Sequence, residues 1–215
     1  MPEHLLLDSD GLKWHHFDDP DDPELVVLAA HYSLHELALE DCATTSSRAK
    51  IDDYGDYVFV VLNAPHFTAK SDSLQEHRLC VFVGEEFAVT VCDGVSRAVD
   101  HARATVKTPW IWKRTPQDIL YLVMDYACDR FLPTIDDISE EIDELEDQVY
   151  QKPDQSISRR ATELKKVLTM LRRSASSHRE IINQLLRKRP HALGLTCANA
   201  KIDAQILALS PTEFL

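Results

Sequence analysis

The sequence predicts an α+β fold: a mixed β-sheet with flanking helices, an α/β/α arrangement, followed by a long antiparallel αα-hairpin. Three observations carry that prediction. Short β-branched and aromatic runs bounded by Gly, Asn and Asp crowd the first half of the chain. Apolar residues in the second half step by three and four, the helical period. The charge also changes sign along the chain: residues 1–115 carry a net −10, Pro116–Tyr150 a further −10, and Asp154–Pro190 a net +7. These blocks divide the chain into an α/β unit over 1–115, an acidic-then-basic helical hairpin over 116–190 packed on it, and a divergent tail over 191–215.

Taken in order, Leu5–Leu7 and Trp14–Phe17 supply two short strands. Pro23–His31 and Leu34–Asp41 have helical spacing, with Asp22 and Ser33 available as N-caps. Tyr57–Leu62, Leu79–Val83 and Phe87–Val91 read as buried strands, the last two joined by a hairpin at Gly84-Glu85-Glu86. Ile135, Ile138, Ile142, Leu145 and Val149 form one seam. Ile157, Ala161, Leu164, Leu168, Leu171, Ala175, His178, Ile182 and Leu185 form another. Pro153 breaks the helix between them, and Asp154 or Ser156 recaps it, so an acidic and a basic helix run antiparallel with opposite charges facing. Exposed pairs of that kind contribute only about 0.2–1 kcal/mol each, so charge selects the register while seam burial supplies most of the stability.

Composition bounds the function. A chain of 215 residues that is 44% hydrophobic and 27% charged is globular, and its net charge of −13 argues against nucleic acid and for cations as partners. The five cysteines, Cys42, Cys80, Cys92, Cys128 and Cys197, contain no C-x-x-C pair, so neither a disulfide framework nor a zinc knuckle is written, and a reducing compartment fits. The N-terminus lacks a basic n-region, and no apolar run approaches the roughly 20 residues of a membrane helix. No G-x-G-x-x-G, Walker loop, G-x-S-x-G or H-E-x-x-H occurs, and an enzyme is not expected.

Few residues stand out chemically. His15 and His16 adjoin Asp18, Asp19, Asp21 and Asp22, but neighbours on a strand point to opposite faces, so at most one ring would join a metal site there. A surface strand and polar turn is the better reading. His178 occupies a seam position and is assigned no function. Glu40 and Asp41 end a predicted helix, where the helix dipole opposes negative charge, which favours a cation nearby. Asp125 lies among Leu120, Leu122, Val123, Met124 and Tyr126 and calls for a basic residue, a metal or a subunit boundary. The carboxylates from Asp136 to Asp147 read first as a solvated, salt-bridged face and second as a collector of hard cations.

The order of motifs resembles the cytoplasmic domain of the CorA family of magnesium and cobalt channels. Trp14-His15-His16-Phe17-Asp18-Asp19-Pro20 resembles the family's W-x-H-x-x-x-P opening. Leu34-His35-Glu36-Leu37-Ala38-Leu39-Glu40-Asp41 resembles its L-H-P-L-x-L-E-D helix, with Glu36 in place of Pro. Lys50 through Leu62 is similar to its K-x-x-x-Y-x-x-Y-x-F-x-x-L strand, and Ile135–Asp147 with the basic segment from Arg159 to its acidic and basic helices. The likeness covers roughly residues 5 to 189.

The resemblance implies a homopentamer whose α/β/α domains form a funnel on the cytoplasmic side of the membrane, with Mg2+ as regulator and Mg2+ or Co2+ as cargo. It implies a regulatory metal site between neighbouring subunits at Glu40, Asp41 and Asp125, where bound cation holds the pore closed. The stalk, the two spans and the G-M-N loop of the family have no counterpart after Pro190, so this chain alone is expected not to conduct, and membrane attachment would come through segments it lacks. Two alternatives follow: a pore-less interaction module, and the zinc-transporting branch of the same fold, for which His15, His16, His31 and His35 would be the motive.

Overall fold

The computed structural model describes residues 4–9, 11–44, 48–68, 73–107, 115–151 and 155–188. Six strands form one sheet: β1 (Leu5–Ser9), β2 (Leu12–Phe17), β3 (Lys50–Asp53), β4 (Tyr57–Thr68), β5 (Ser73–Gly84) and β6 (Phe87–Val91), in the order β1-β2-β6-β5-β4-β3. Only β2 and β6 pair in parallel; every other neighbour is antiparallel. The sheet is therefore mixed, as the sequence predicts. The Lys50–Leu62 segment is two strands, with Tyr54–Asp56 as the turn between them, and β4 and β5 run well past the predicted runs.

Alternation along the strands sorts the side chains into two layers. Val58, Val60, Leu62, Leu79, Val81, Val83 and Trp14 face one side, where helices α3 (Arg97–Val106), α4 (Pro116–Asp129) and the end of α6 (Gln155–Lys188) cover them. Tyr57, Phe59, Val61, Cys80, Phe82, Val89 and Phe17 face the other, covered by α1 (Pro23–His31) and α2 (Glu36–Ala43). A strand slipped by one residue would exchange the two sets, so burial on both faces fixes the register. Cys42, Cys80, Cys92 and Cys128 are free thiols.

Asp22 caps α1 as expected, accepting from the Glu24 amide at 2.7 Å. Ser33 does not cap α2. It adopts a left-handed φ of 54° and closes α1, with the Leu34 amide donating to the Ala29 carbonyl at 2.8 Å. A residue committed to that conformation cannot also be the extended cap of the next helix. His35 takes the role, its Nδ1 accepting from the Leu37 amide at 3.1 Å. Glu36 then holds the first helical position, where the helix dipole favours a carboxylate.

The acidic block folds as two consecutive helices, α4 and α5 (Phe131–Gln151), meeting at Arg130. α5 and α6 form the hairpin, which packs Ile138, Leu145, Leu164, Val167 and Leu171 against Phe67 and Leu74 at the projecting end of β4 and β5. Arg160 and Glu141 form an ion pair across it. Of the predicted α6 seam, Leu164, Leu171, His178, Ile182 and Leu185 are buried, but Val167 and Ser174 are buried in place of Leu168, which is 42% exposed, and Ala175. Adjacent apolar or small pairs, Val167-Leu168 and Ser174-Ala175, left the phase ambiguous in the sequence. The recapping site at Asp154 and the tail 191–215 lie outside the described residues; α6 resumes at Gln155, so Ser156 is inside the helix.

Candidate cation-binding site

Glu40 and Asp41 lie in the last turn of α2, which its buried Ala38 and Cys42 hold against the sheet. The helix start is pinned as well: the Tyr57 hydroxyl accepts from the His35 amide at 2.8 Å, and Tyr54 stacks on Tyr57 with ring centroids 5.0 Å apart. The last turn contains no basic residue to offset the two acids. The compensating charge comes instead from β3. Lys50 Nζ lies 2.7 Å from Asp41 and 2.7 Å from Asp52. Burial opposes the charge on Lys50, but the two carboxylate hydrogen bonds more than restore it, and its pKa lies above the ordinary lysine value. Around these groups an open hollow of about 580 Å³ is lined by Glu40, Asp41, Asp52, Asp53 and Tyr54. A cation entering it meets an ammonium already in place.

Asp125 sits in the middle of α4, half-buried, with the Tyr121 hydroxyl donating to it at 3.4 Å. Burial raises its pKa, and the like charge of Asp129 one turn on raises it further. Burial and Asp125 together push the Tyr121 hydroxyl up to about 12. Among the described residues no cation pairs with Asp125, so they do not supply the partner that the sequence calls for.

The three predicted acids are not brought together. Asp41 belongs to the layer on one face of the sheet and Asp125 to the layer on the other. Among the described residues no group of three His, Cys, Asp or Glu side chains converges on a metal position. The four histidines of the zinc alternative do not gather either: His15 and His31 both lie against Tyr32 on the α1 side, but His16 contacts Thr90 on the α4 side and His35 is occupied as a helix cap. Lys50 and Asp52 escaped the sequence reading, although their i, i+2 spacing on a strand places both on one face. Tyr121 and Asp129, one helical turn either side of Asp125, were legible by the same kind of argument.

No helix among the described residues is long and apolar enough to cross a membrane. A family model described as CorA-like Mg2+ transporter protein matches residues 9–200. The putative metal ion transporter YfjQ of Bacillus subtilis is 28% identical over 177 residues, which cover 80% of this chain and 53% of that protein. The cobalt/magnesium transport protein CorA of Thermotoga maritima is 28% identical over 166 residues, 74% of this chain and 46% of that one. The chain thus spans about half the length of the curated relatives it matches. Among solved structures, the soluble domain of CorA from Methanocaldococcus jannaschii superposes with a TM-score of 0.66 at 15% identity, covering 93% of this chain and 81% of that one. The ZntB cytoplasmic domain from Vibrio parahaemolyticus superposes with a TM-score of 0.65 at 13% identity, covering 94% and 82%. At such identities both likenesses show the fold alone.

Proposed function

This chain belongs to the CorA-like Mg2+ transporter family, and from that premise we propose that it is the cytoplasmic, cation-sensing part of a divalent-cation (Mg2+/Co2+) channel. The family is one of transporters and not of enzymes. In this reading Mg2+ is held between neighbouring copies of the chain, by Glu40 and Asp41 of one and Asp125 of the next, and holding it favours the closed pore.

One observation supports the reading: the acids stand on opposite faces of the sheet, each without a metal-binding set of its own among the described residues. Two copies are needed to complete such a site. The donors fit the ion, because Mg2+ keeps most of its water and is commonly held through one or two carboxylates. Asp125, half-buried with no cation partner among the described residues, has the most to gain from that charge. A net charge of −13 per chain adds mutual repulsion between copies that a bridging cation relieves. The pentameric assembly and the cytoplasmic location rest on the same family reading.

The test is complementation between two variants. Light scattering and the thermal midpoint of the chain are followed against Mg2+ for the native sequence, Asp41→Ala, Asp125→Ala and an equimolar mixture of the two variants. Mg2+ is expected to promote association and raise the midpoint of the native chain, and to do neither for either variant alone. In the mixture one orientation of the mixed contact retains both native acids, so part of the response returns. A site within a single copy gives no recovery on mixing, and that result, or an undiminished response in either variant, overturns the proposal.

A further inference from the structure

A second concavity lies far from the acids in character. It is a hollow of about 360 Å³ between the projecting ends of β4 and β5, the start of α3 and the end of α4. His66, His77, Arg97 and Arg130 line it together with Ser96 and Tyr126, and no carboxylate does so among the described residues. In a chain with 36 acidic and 23 basic residues, a wall of this sign is a departure from the surrounding surface. Neither Arg97 nor Arg130 forms an ion pair among the described residues, so both guanidinium groups are free to meet a ligand. The imidazoles of His66 and His77 come from adjacent strands, with ring centroids 6.3 Å apart. The first-turn amides of Arg97 and Ala98, which have no intrahelical acceptor, open on the same end of α3.

The rest of the wall is apolar, formed by Leu62, Leu79, Val123 and Ala127, and Val95 stands at the rim 81% exposed. Charged forks at one part of a pocket and aliphatic side chains at another are how a small ligand with an anionic head and an apolar or aromatic body is held. Planar guanidinium donors, imidazole N–H groups and a hydroxyl suit the oxygens of a phosphate. A hard cation is excluded by the sign. We infer that this hollow binds a small organic phosphate about the size of a nucleoside monophosphate, its phosphate against Arg97 and Arg130 and its body along Leu62, Leu79 and Val123. This site shares no residue with the proposed cation site and does not depend on it. It gives the chain a means of sensing a metabolite anion beside a cation.

The experiment is isothermal titration of the chain at constant ionic strength with adenosine 5′-monophosphate, inorganic phosphate and adenosine. The monophosphate is expected to bind most tightly, phosphate more weakly and adenosine weakest. Arg97→Gln and Arg130→Gln are each expected to weaken monophosphate binding at least tenfold, as loss of a charge-assisted hydrogen bond does. Arg103→Gln, on the same helix but outside the hollow, leaves binding unchanged. Arg97, Arg103 and Arg130 pair with no acid among the described residues, so these variants keep the fold, which circular dichroism checks. Absence of binding by both phosphate probes at about 5 mM, an affinity too weak to be specific, overturns the site. Equal weakening by Arg103→Gln overturns it too, reducing the effect to net charge. Phosphate binding as tightly as the monophosphate overturns the apolar half of the assignment, and adenosine binding as tightly overturns the phosphate half.

Discussion

Replacing Lys50 by Met separates a carboxylate that binds metal from one that merely balances an ammonium. Lys50 Nζ lies 2.7 Å from both Asp41 and Asp52, and 5.8 Å from the centroid of the Phe59 ring. The side chains are 38%, 26% and 40% exposed for Lys50, Asp41 and Asp52, so these are partly screened pairs. Each is worth about 0.2–1 kcal/mol. A cation that takes Asp41 must first displace Lys50 and forfeit up to two such pairs, about 0.4–2 kcal/mol in all. At about 1.4 kcal/mol per factor of ten, removing the competitor tightens apparent Mg2+ binding by roughly 2- to 30-fold. Met keeps the apolar stem in place while removing the charge. The thermal midpoint measured against Mg2+ concentration at fixed ionic strength gives the apparent affinity through mass action. Without Mg2+ the variant melts a few degrees lower, and with Mg2+ its midpoint climbs at lower concentration than the native chain's. If the concentration dependence is unchanged or weaker in Lys50→Met, Asp41 is not a ligand, and the competition argument fails with it. Raising the salt should shrink the difference, since screening weakens the pairs being compared.

His178 is buried in the hairpin, with Nδ1 donating to the Ser174 carbonyl at 3.0 Å and Nε2 without a partner among the described residues, and burial lowers its pKa. A histidine whose pKa falls on folding stabilises fully above its unfolded value near 6.5 and loses that stability as pH drops below it. His178→Leu should therefore raise the midpoint about 2–4 °C at neutral pH, by removing an unsatisfied buried atom worth about 1 kcal/mol, and widen its lead as pH falls below about 6.5. Melting curves at several pH values decide it; a gap that narrows toward acid refutes the argument. Asp125→Asn should raise the midpoint by about 1–2 °C at pH 7 without metal, because a carboxyl with a raised pKa destabilises the fold wherever it is ionised. That gain should vanish below about pH 4, where Asp125 is protonated in both states. Gly84→Ala should lower the midpoint by roughly 2–12 °C, since an added methyl overlaps the Phe87 ring, and overpacking costs about 1–3 kcal/mol. Shortening Phe87 to Leu in the same chain should recover part of the loss.

Much of the fold was legible because its strands are double-buried and its hairpin helices strongly periodic. The runs at Tyr57, Leu79 and Phe87 have no other economical reading, and Asp22 before Pro23 marks a helix start unambiguously. Helix α3 has no counterpart in the sequence reading, although Ala98, Val99, Ala102 and Val106 recur at helical spacing on one face: two alanines and two valines in a ten-residue stretch lack the large apolar side chains that mark the longer helices. In the sequence Gly84 marks a turn; its φ is not left-handed, and what requires glycine there is the close approach of Phe87. The acids of the candidate cation site were visible as charges in awkward places. Their relation was not, because it depends on which face of the sheet each helix covers. The pairing of Asp41 with Lys50 is likewise a contact between helix and strand that no local pattern encodes.

The placement of Asp41 and Asp125 on opposite sides of the sheet restricts the symmetry of any assembly they join. A two-fold pair would have to present both acids on one self-complementary patch, which layers roughly 20 Å apart do not allow. A joint using Asp41 of one copy and Asp125 of the next is therefore head-to-tail, and leaves an unused acid at either end of every short chain of copies. Only closure into a ring uses them all. Such a ring has as many cation joints as members, and breaking one joint leaves the rest tethered.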